Sequence, residues 1–417
     1  RPPRGPIPST PNGSAFGFPR PLTIDHIDGP ALAGPFPTER TTSMNFFFHT
    51  LLPWIRSNTI LFLASLGALL SFGAVPPSRA LVGALNLPVL ALLFCLMGVI
   101  GGLRETGFFD RLLDHLLERL STTRQLGAVL VFACFFGSMW VTNDVALITF
   151  VPFALLSLAG QTTEKQTARI IILQTLAANL GSMVTPVGNP QNLYLYFHYQ
   201  MELGGFLALL LPYTLVSLGM LALGVVLWVP CRPLEKRGRG EPGKGSTGKY
   251  GKLLGFLFCL CLLTVAHVLD WRVTLGAVPL GILAVRPRWF RWVDYRLLGT
   301  FVAFFVLIGN LGQIPAFRQL LISFLEGREF FTALLASQVI SNVPAAVLLS
   351  GFTDNGRALV LGTDIGGLGT LIASMASLIS YGYFVRRYPW LQGYYLKAFT
   401  LANLAFLVPL AGMAAVL

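Results

Sequence analysis

Six stretches of this chain, 58–75, 85–103, 205–230, 253–269, 297–314 and 391–417, approach or exceed the run of roughly 20 apolar residues that spans a bilayer. Burying so many such runs needs a membrane as solvent. Composition agrees: 54% of the 417 residues are hydrophobic and 12% are charged, against about 25% charged in a soluble domain. Mean hydropathy is +0.67. The fold class read from this is an all-α polytopic membrane protein of the cytoplasmic membrane.

The net charge of +12 does not point to nucleic acid. The basic residues gather in short segments between apolar runs, as the positive-inside rule requires. Residues 231–252 carry seven Lys/Arg against Glu235 and Glu241, and 286–296 carries four arginines, so both lie on the cytoplasmic side. The five cysteines form no disulfide framework. Residues 1–43 hold ten prolines and no apolar core of a secretory signal, and they read as a disordered extension ahead of Met44.

The apolar pattern divides the rest into an N-terminal helix in 44–84, a first unit at 85–230, the basic loop 231–252, linking helices in 253–296 and a second unit at 297–417. Residues 104–124 are amphipathic and read as one interfacial helix. The segments 126–159 and 329–353 read as helical hairpins that enter the membrane and return on one side. Those at 168–198 and 358–385 read as helices broken by TPVGNP and by glycines. A short helix is expected at 315–326.

The two units echo each other. Ile100-Gly-Gly-Leu103 matches Ile308-Gly-Asn-Leu311, and Thr142-Asn143 matches Ser341-Asn342. The stretch Asn179 to Thr185 matches Asp364 to Thr370, with all three pairs in the same order. Five crossings separate the repeat starts, and an odd number makes the copies inverted. Inverted repeats with broken helices at matching positions point to a secondary transporter.

Polar residues inside apolar runs locate the chemistry. Of the 18 acidic residues, only Asp144 and Asp364 fall deep within apolar segments. A charge at the bilayer centre costs about 2.5–3.5 kcal/mol on insertion scales, so it normally faces a cavity and has a role. Hard oxygens from Thr142, Asn143, Asp144, Ser341, Asn342 and Asp364 suit a coupling ion, either a titrating proton or Na⁺ held at Asn143, Asp144 and Asn342. Ser182, Thr185, Gly188, Asn189 and Asn192 in the first break, with Gly366, Gly367 and Thr370 in the second, are the candidate substrate pocket. Half-helix N-termini there face an anionic group without any Lys or Arg. No cofactor beyond the coupling ion is expected. The sequence contains neither His-Glu-x-x-His nor Gly-x-Ser-x-Gly, so an intramembrane enzyme is disfavoured. A channel remains the competing class, because re-entrant loops also build selectivity filters.

Four segments, VTNDVALITFVPFAL, GSMVTPVGNPQN, SQVISNVPAAVLLSG and GTDIGGLGTLIAS, together resemble the ion transporter superfamily. This groups arsenite permeases, NhaD-type Na⁺/H⁺ antiporters, citrate-transporter-like permeases and divalent anion:sodium symporters. The resemblance covers roughly 55–416. It implies a scaffold domain, a transport domain carrying both hairpins, elevator-like alternating access and a homodimer. The symporters' paired Ser-Asn-Thr tips are replaced here by Thr142-Asn143-Asp144 and Ser341-Asn342-Val343. A carboxylate at the first tip favours a cation, a proton-coupled step or a neutral hydroxide over a dianion. The substrate is therefore open between a small organic anion or oxyanion, arsenite and Na⁺/H⁺ exchange.

Overall fold

The computed structural model describes residues 58–77, 85–117, 120–234 and 250–416. The expected extension at 1–43, the first part of the N-terminal helix segment and most of the basic loop 231–252 lie outside the described residues. Asn58–Leu417 forms one compact unit, and among the described residues its regular elements are all helices.

The helices are α1 Thr59–Ser71, α2 Leu87–Glu105, α3 Phe108–Leu117, α4 Thr123–Ser138, α5 Asn143–Leu158, α6 Glu164–Ser182, α7 Pro190–His198, α8 Leu203–Trp228, α9 Gly251–Val265 and α10 Trp271–Val285. They continue with α11 Tyr295–Leu311, α12 Pro315–Leu325, α13 Glu329–Ile340, α14 Asn342–Ser350, α15 Gly356–Ile365, α16 Met375–Arg387 and α17 Gln392–Val416. Short 3-10 segments, Pro287–Trp292 and Pro389–Leu391, precede α11 and α17. The helices α2 and α8, and the segment Pro389–Val416 that contains α17, are each long and apolar enough to cross a bilayer. This is a multi-pass membrane protein.

Local chemistry sets the boundaries. Asn86 caps α2 through the Val89 N–H, and Asp294 caps α11 through the Arg296 and Leu297 N–H groups. Thr122 with Gln125 and Thr163 with Gln166 form capping boxes that start α4 and α6. The single interfacial helix expected over 104–124 is therefore divided. Its first residues belong to α2, Gly107 breaks the chain at φ 71°, and the Thr122 capping box begins the next helix. The part that remains is α3. In the second unit α12 leaves α11 at a bend of 105°.

Two packing sets follow. In the first, α2 packs on α9, α10 and the 3-10 segment Pro287–Trp292, while α1 packs along α11. In the second, α6 is surrounded by α4, α5, α8, α16 and α17, and α15 is surrounded by α13, α14 and α7. The order helix, short helix, helix–turn–helix, broken helix, long helix therefore occurs twice, over α2–α8 and over α11–α17.

Candidate functional site

Each tip is tied to the break in its own unit by the same backbone contact. The Asn143 N–H donates to the Gly188 carbonyl at 3.1 Å, and the Asn342 N–H donates to the Ala373 carbonyl at 2.9 Å. Each asparagine also turns its Oδ1 onto the next N–H of its own helix: Asp144 N–H to Asn143 at 2.9 Å, and Val343 N–H to Asn342 at 3.0 Å. Thr142 accepts a long bond from the Val145 N–H. Ser341 holds φ 72°. That left-handed geometry in a residue other than glycine costs on the order of 1–3 kcal/mol and must be held by its surroundings. Its hydroxyl donates to the Ala373 carbonyl at 3.4 Å.

The breaks have different causes. In the first, Pro186 and Pro190 lack the N–H that would continue α6, and Pro190 opens α7 at a position where a missing N–H costs nothing. A Cβ at Gly188 would sit 2.1 Å from the Ser182 carbonyl oxygen, so only glycine lets the chain fold back on α6. We expect Gly188→Ala to destabilise by about 2–3 kcal/mol, read as a lower melting temperature in detergent. In the second break a Cβ at Gly367 would lie 3.0 Å from Asn342 Nδ2, so glycine admits the tip asparagine. The Gln338 amide braces this loop, donating to the Gly366 and Leu368 carbonyls at 2.7 and 2.9 Å and accepting from the Thr370 N–H at 2.9 Å.

Asn179 joins the two units. Its Oδ1 accepts from Asn143 Nδ2 at 3.0 Å and from the Ser374 hydroxyl at 3.1 Å, and its Nδ2 donates to Ser377 Oγ at 3.4 Å. Ser374 follows Ala373, the acceptor for Asn342. One short relay, Asn143 to Asn179 to Ser374 and Ala373 to Asn342, therefore connects the tips. The helices α5, α7, α14 and α16 begin at Asn143, Pro190, Asn342 and Met375. Four N-terminal ends lie beside this relay, each carrying about half a positive charge.

Asp364, at the end of α15, is 4% exposed. Gln191 Nε2 donates to its Oδ1 at 3.4 Å, and the carboxamides of Asn192 and Asn189 also face the carboxyl. Asp364 Oδ2, Asn189 Oδ1 and Asn192 Oδ1 are buried with no hydrogen-bond partner among the described residues. The structure thus groups Asp364 with residues that the sequence assigned to the substrate pocket. Asp144 is half-buried, and the carboxylate within its electrostatic reach is Asp294 at the start of α11.

The other expected residues are placed as follows. The Ser182 hydroxyl donates to the Asn179 carbonyl at 2.9 Å, and the Thr185 hydroxyl donates to the Met139 carbonyl while accepting from the Gly188 N–H. Both protons are used, one within α6 and one on the turn after α4, leaving hydroxyl oxygens as acceptors. Thr370 is exposed, and its hydroxyl donates to the Gln338 carbonyl at 3.1 Å. Gly366 is a brace point for Gln338. Asn179, Gln338 and Ser377 were missed by the sequence reading of the site. For Asn179 a signal existed, since it aligns with Asp364 in the internal match.

Residues 50–355 match the family model described as citrate transporter, CitMHS. That span is well over half of the chain. The chain belongs to the citrate transporter family. Within this citrate transporter family member, 291 residues are 33% identical to the inner membrane protein YbiR of Escherichia coli, covering 68% of this chain and 76% of that protein. Similarity to the uncharacterized transporter MJ0456 of Methanocaldococcus jannaschii is 32% over 289 residues, 69% of this chain and 78% of the other. The silicon efflux transporter LSI3 of Oryza sativa is 34% identical over 147 residues, 35% of this chain and 30% of that protein. The family, and by their names MJ0456 and LSI3, are transporters, not enzymes. The resemblance to the ion transporter superfamily read from the four motifs agrees with this membership, and the chain is a membrane transporter.

Proposed function

We propose that this protein is a secondary active transporter that moves a small anion or oxyanion across the cytoplasmic membrane, driven by Na⁺ or H⁺. The observation that carries the reading is the relay of Asn143, Asn179 and Ser374, which gathers four helix N-termini beside a buried, incompletely bonded Asp364. Helix N-termini attract an anion without any basic side chain. A buried carboxyl facing carboxamides is a hard-oxygen donor set for a monovalent cation or a proton. Cation occupancy next to the N-termini then raises anion affinity, which is coupling in the thermodynamic sense.

Arm lengths support an alternating-access mechanism. The arms of the α4/α5 hairpin are about 24 Å long at 16 residues each, and those of α13/α14 are shorter still. A hydrocarbon core is about 30 Å thick, which favours hairpins that enter and return on one side. The recurring element order favours inverted repeats. We read the set around α6 and α15 as the moving body, and the set of α1, α2, α9, α10 and α11 as a scaffold that a homodimer holds still. Motion of one against the other gives elevator-like alternating access.

A second reading, export of a neutral hydroxide such as arsenite in exchange for protons, is favoured by Asp144 at the first tip and by the name of the rice relative. Reconstituted flux distinguishes the two. Radiolabelled citrate, smaller dicarboxylates, sulfate and arsenite are offered under an imposed Na⁺ or H⁺ gradient. We expect Asp144→Asn to fold normally, because the site is only half-buried, and to lose the dependence of flux on the driving gradient. Flux that keeps its full gradient dependence removes Asp144 from the coupling step. Single-channel current in a planar bilayer overturns the transporter mechanism itself.

A further inference from the structure

A cavity of about 400 Å³, away from the tips, opens between α6, α8 and α17 and is lined by Arg169, Trp228, Tyr394, Lys397, Ala398 and Leu401. We propose that it binds the headgroup of an anionic phospholipid, with the phosphate at Arg169 and Lys397 and the first acyl carbons along Trp228, Ala398 and Leu401.

The argument starts from charge. Arg169 donates through Nε to the Tyr394 hydroxyl at 2.9 Å, which fixes the guanidinium plane. The terminal nitrogens of that fork are the groups that match a phosphate in pairs. Lys397 supplies a point charge one helical turn beyond Tyr394, on an exposed position of α17. Lys165 adds a third cation, its ammonium 5.6 Å from the centre of the Tyr394 ring. Glu164, the carboxylate beside Lys165, is engaged by Trp390 Nε1 at 2.8 Å.

The apolar wall selects a lipid over a free anion. Leu401 is 58% exposed, and Leu227 and Val408 on the flanking helices are 70% and 62% exposed. The groove thus continues into the bare faces of α8 and α17, where an acyl chain gains contact and inorganic phosphate gains none. Trp228 and Tyr394 are the aromatic types that collect at membrane–water interfaces. α8 runs directly into the basic segment that includes Arg232 and Lys252, so the cavity lies at the end facing an anionic leaflet surface. The proposal does not depend on the transported substrate.

The test is a thermal-shift titration of purified protein in detergent with phosphatidylglycerol, phosphatidylcholine and inorganic phosphate. Phosphatidylglycerol is expected to raise the melting temperature saturably, while the other two leave it unchanged. Arg169→Gln and Lys397→Gln are each expected to weaken phosphatidylglycerol binding about five-fold, and the double variant about thirty-fold. Arg318→Gln, an exposed cation on α12 outside the groove, is expected to bind as the unaltered protein does. Lys397→Gln removes only an exposed charge and carries the test even if Arg169→Gln unfolds. Equal stabilisation by phosphatidylcholine, equal stabilisation by inorganic phosphate at matched phosphate concentration, or unchanged binding in Lys397→Gln overturns the proposal.

Discussion

Asp364→Asn is expected to abolish cation-driven flux while leaving the protein at least as stable as before. The two effects have opposite signs because one charge does two things. In the folded state the carboxyl is buried, and one oxygen has no partner among the described residues. Burying such a group opposes folding by several kcal/mol unless a counter-ion or proton joins it. An asparagine of the same shape removes that penalty, and its amide still meets the carboxamides of Asn189, Gln191 and Asn192. The driving cation, however, loses the only anionic donor of the cluster. Truncating a buried charge partner costs 2–5 kcal/mol, which is about 30-fold or more in cation affinity. The checks are Na⁺- and H⁺-dependent flux in proteoliposomes and melting temperature in detergent. Retained gradient dependence with an unchanged melting temperature makes Asp364 a passive core carboxyl and moves coupling to the tips alone.

What the sequence makes legible is the set of interruptions, and the physical reason is local. Pro186, Pro190 and the run Gly366, Gly367, Gly369 break a helix through their own backbone chemistry, whatever packs around them. Thr142-Asn143 and Ser341-Asn342 stand out because the residues on either side are apolar. Long-range pairing is a different matter. Asp364 and Asn189 lie 175 positions apart and come together because α15 packs on α7. No periodicity encodes that, so the sequence reading assigned them to separate sites. Asn179 aligns with Asp364 in the internal match, yet the sequence alone does not place it in the site. Its importance comes from Ser374 and Ser377 on a helix almost two hundred positions later. The limits of α3 were misread for a simpler reason. An amphipathic stripe runs smoothly through 104–124, whereas Gly107 and the Thr122–Gln125 capping box act on single residues and override it.

Asn179 offers the sharper test of what is carried, through two variants that separate structure from charge. Asn179→Leu keeps the volume and removes the relay, leaving Asn143 Nδ2 and the Ser374 hydroxyl buried without their acceptor. At about 1–3 kcal/mol for each stranded group, the expected loss is ~3 kcal/mol of stability, seen as a clear fall in melting temperature together with lost flux. Asn179→Asp retains Oδ1, so the bonds from Asn143 and Ser374 survive, and the helix N-termini offset part of the cost of burying its charge, so the melting temperature is expected to fall less than in Asn179→Leu. The new carboxylate sits among the four helix N-termini, where it satisfies the dipoles that would otherwise hold an anion. At an effective dielectric constant of about 20 and a separation of about 6 Å, its repulsion of a bound anion is ~3 kcal/mol, or roughly a hundred-fold in affinity. A neutral hydroxide feels almost none of this, and a cation binds more tightly. Transport assays on Asn179→Asp therefore sort the three substrate classes. A hundred-fold rise in the half-saturating concentration marks an anion carrier, unchanged transport marks a carrier of neutral hydroxides, and a lower half-saturating concentration for Na⁺ marks an exchanger of cations. The second and third outcomes each refute anion transport at the N-termini of α5, α7, α14 and α16.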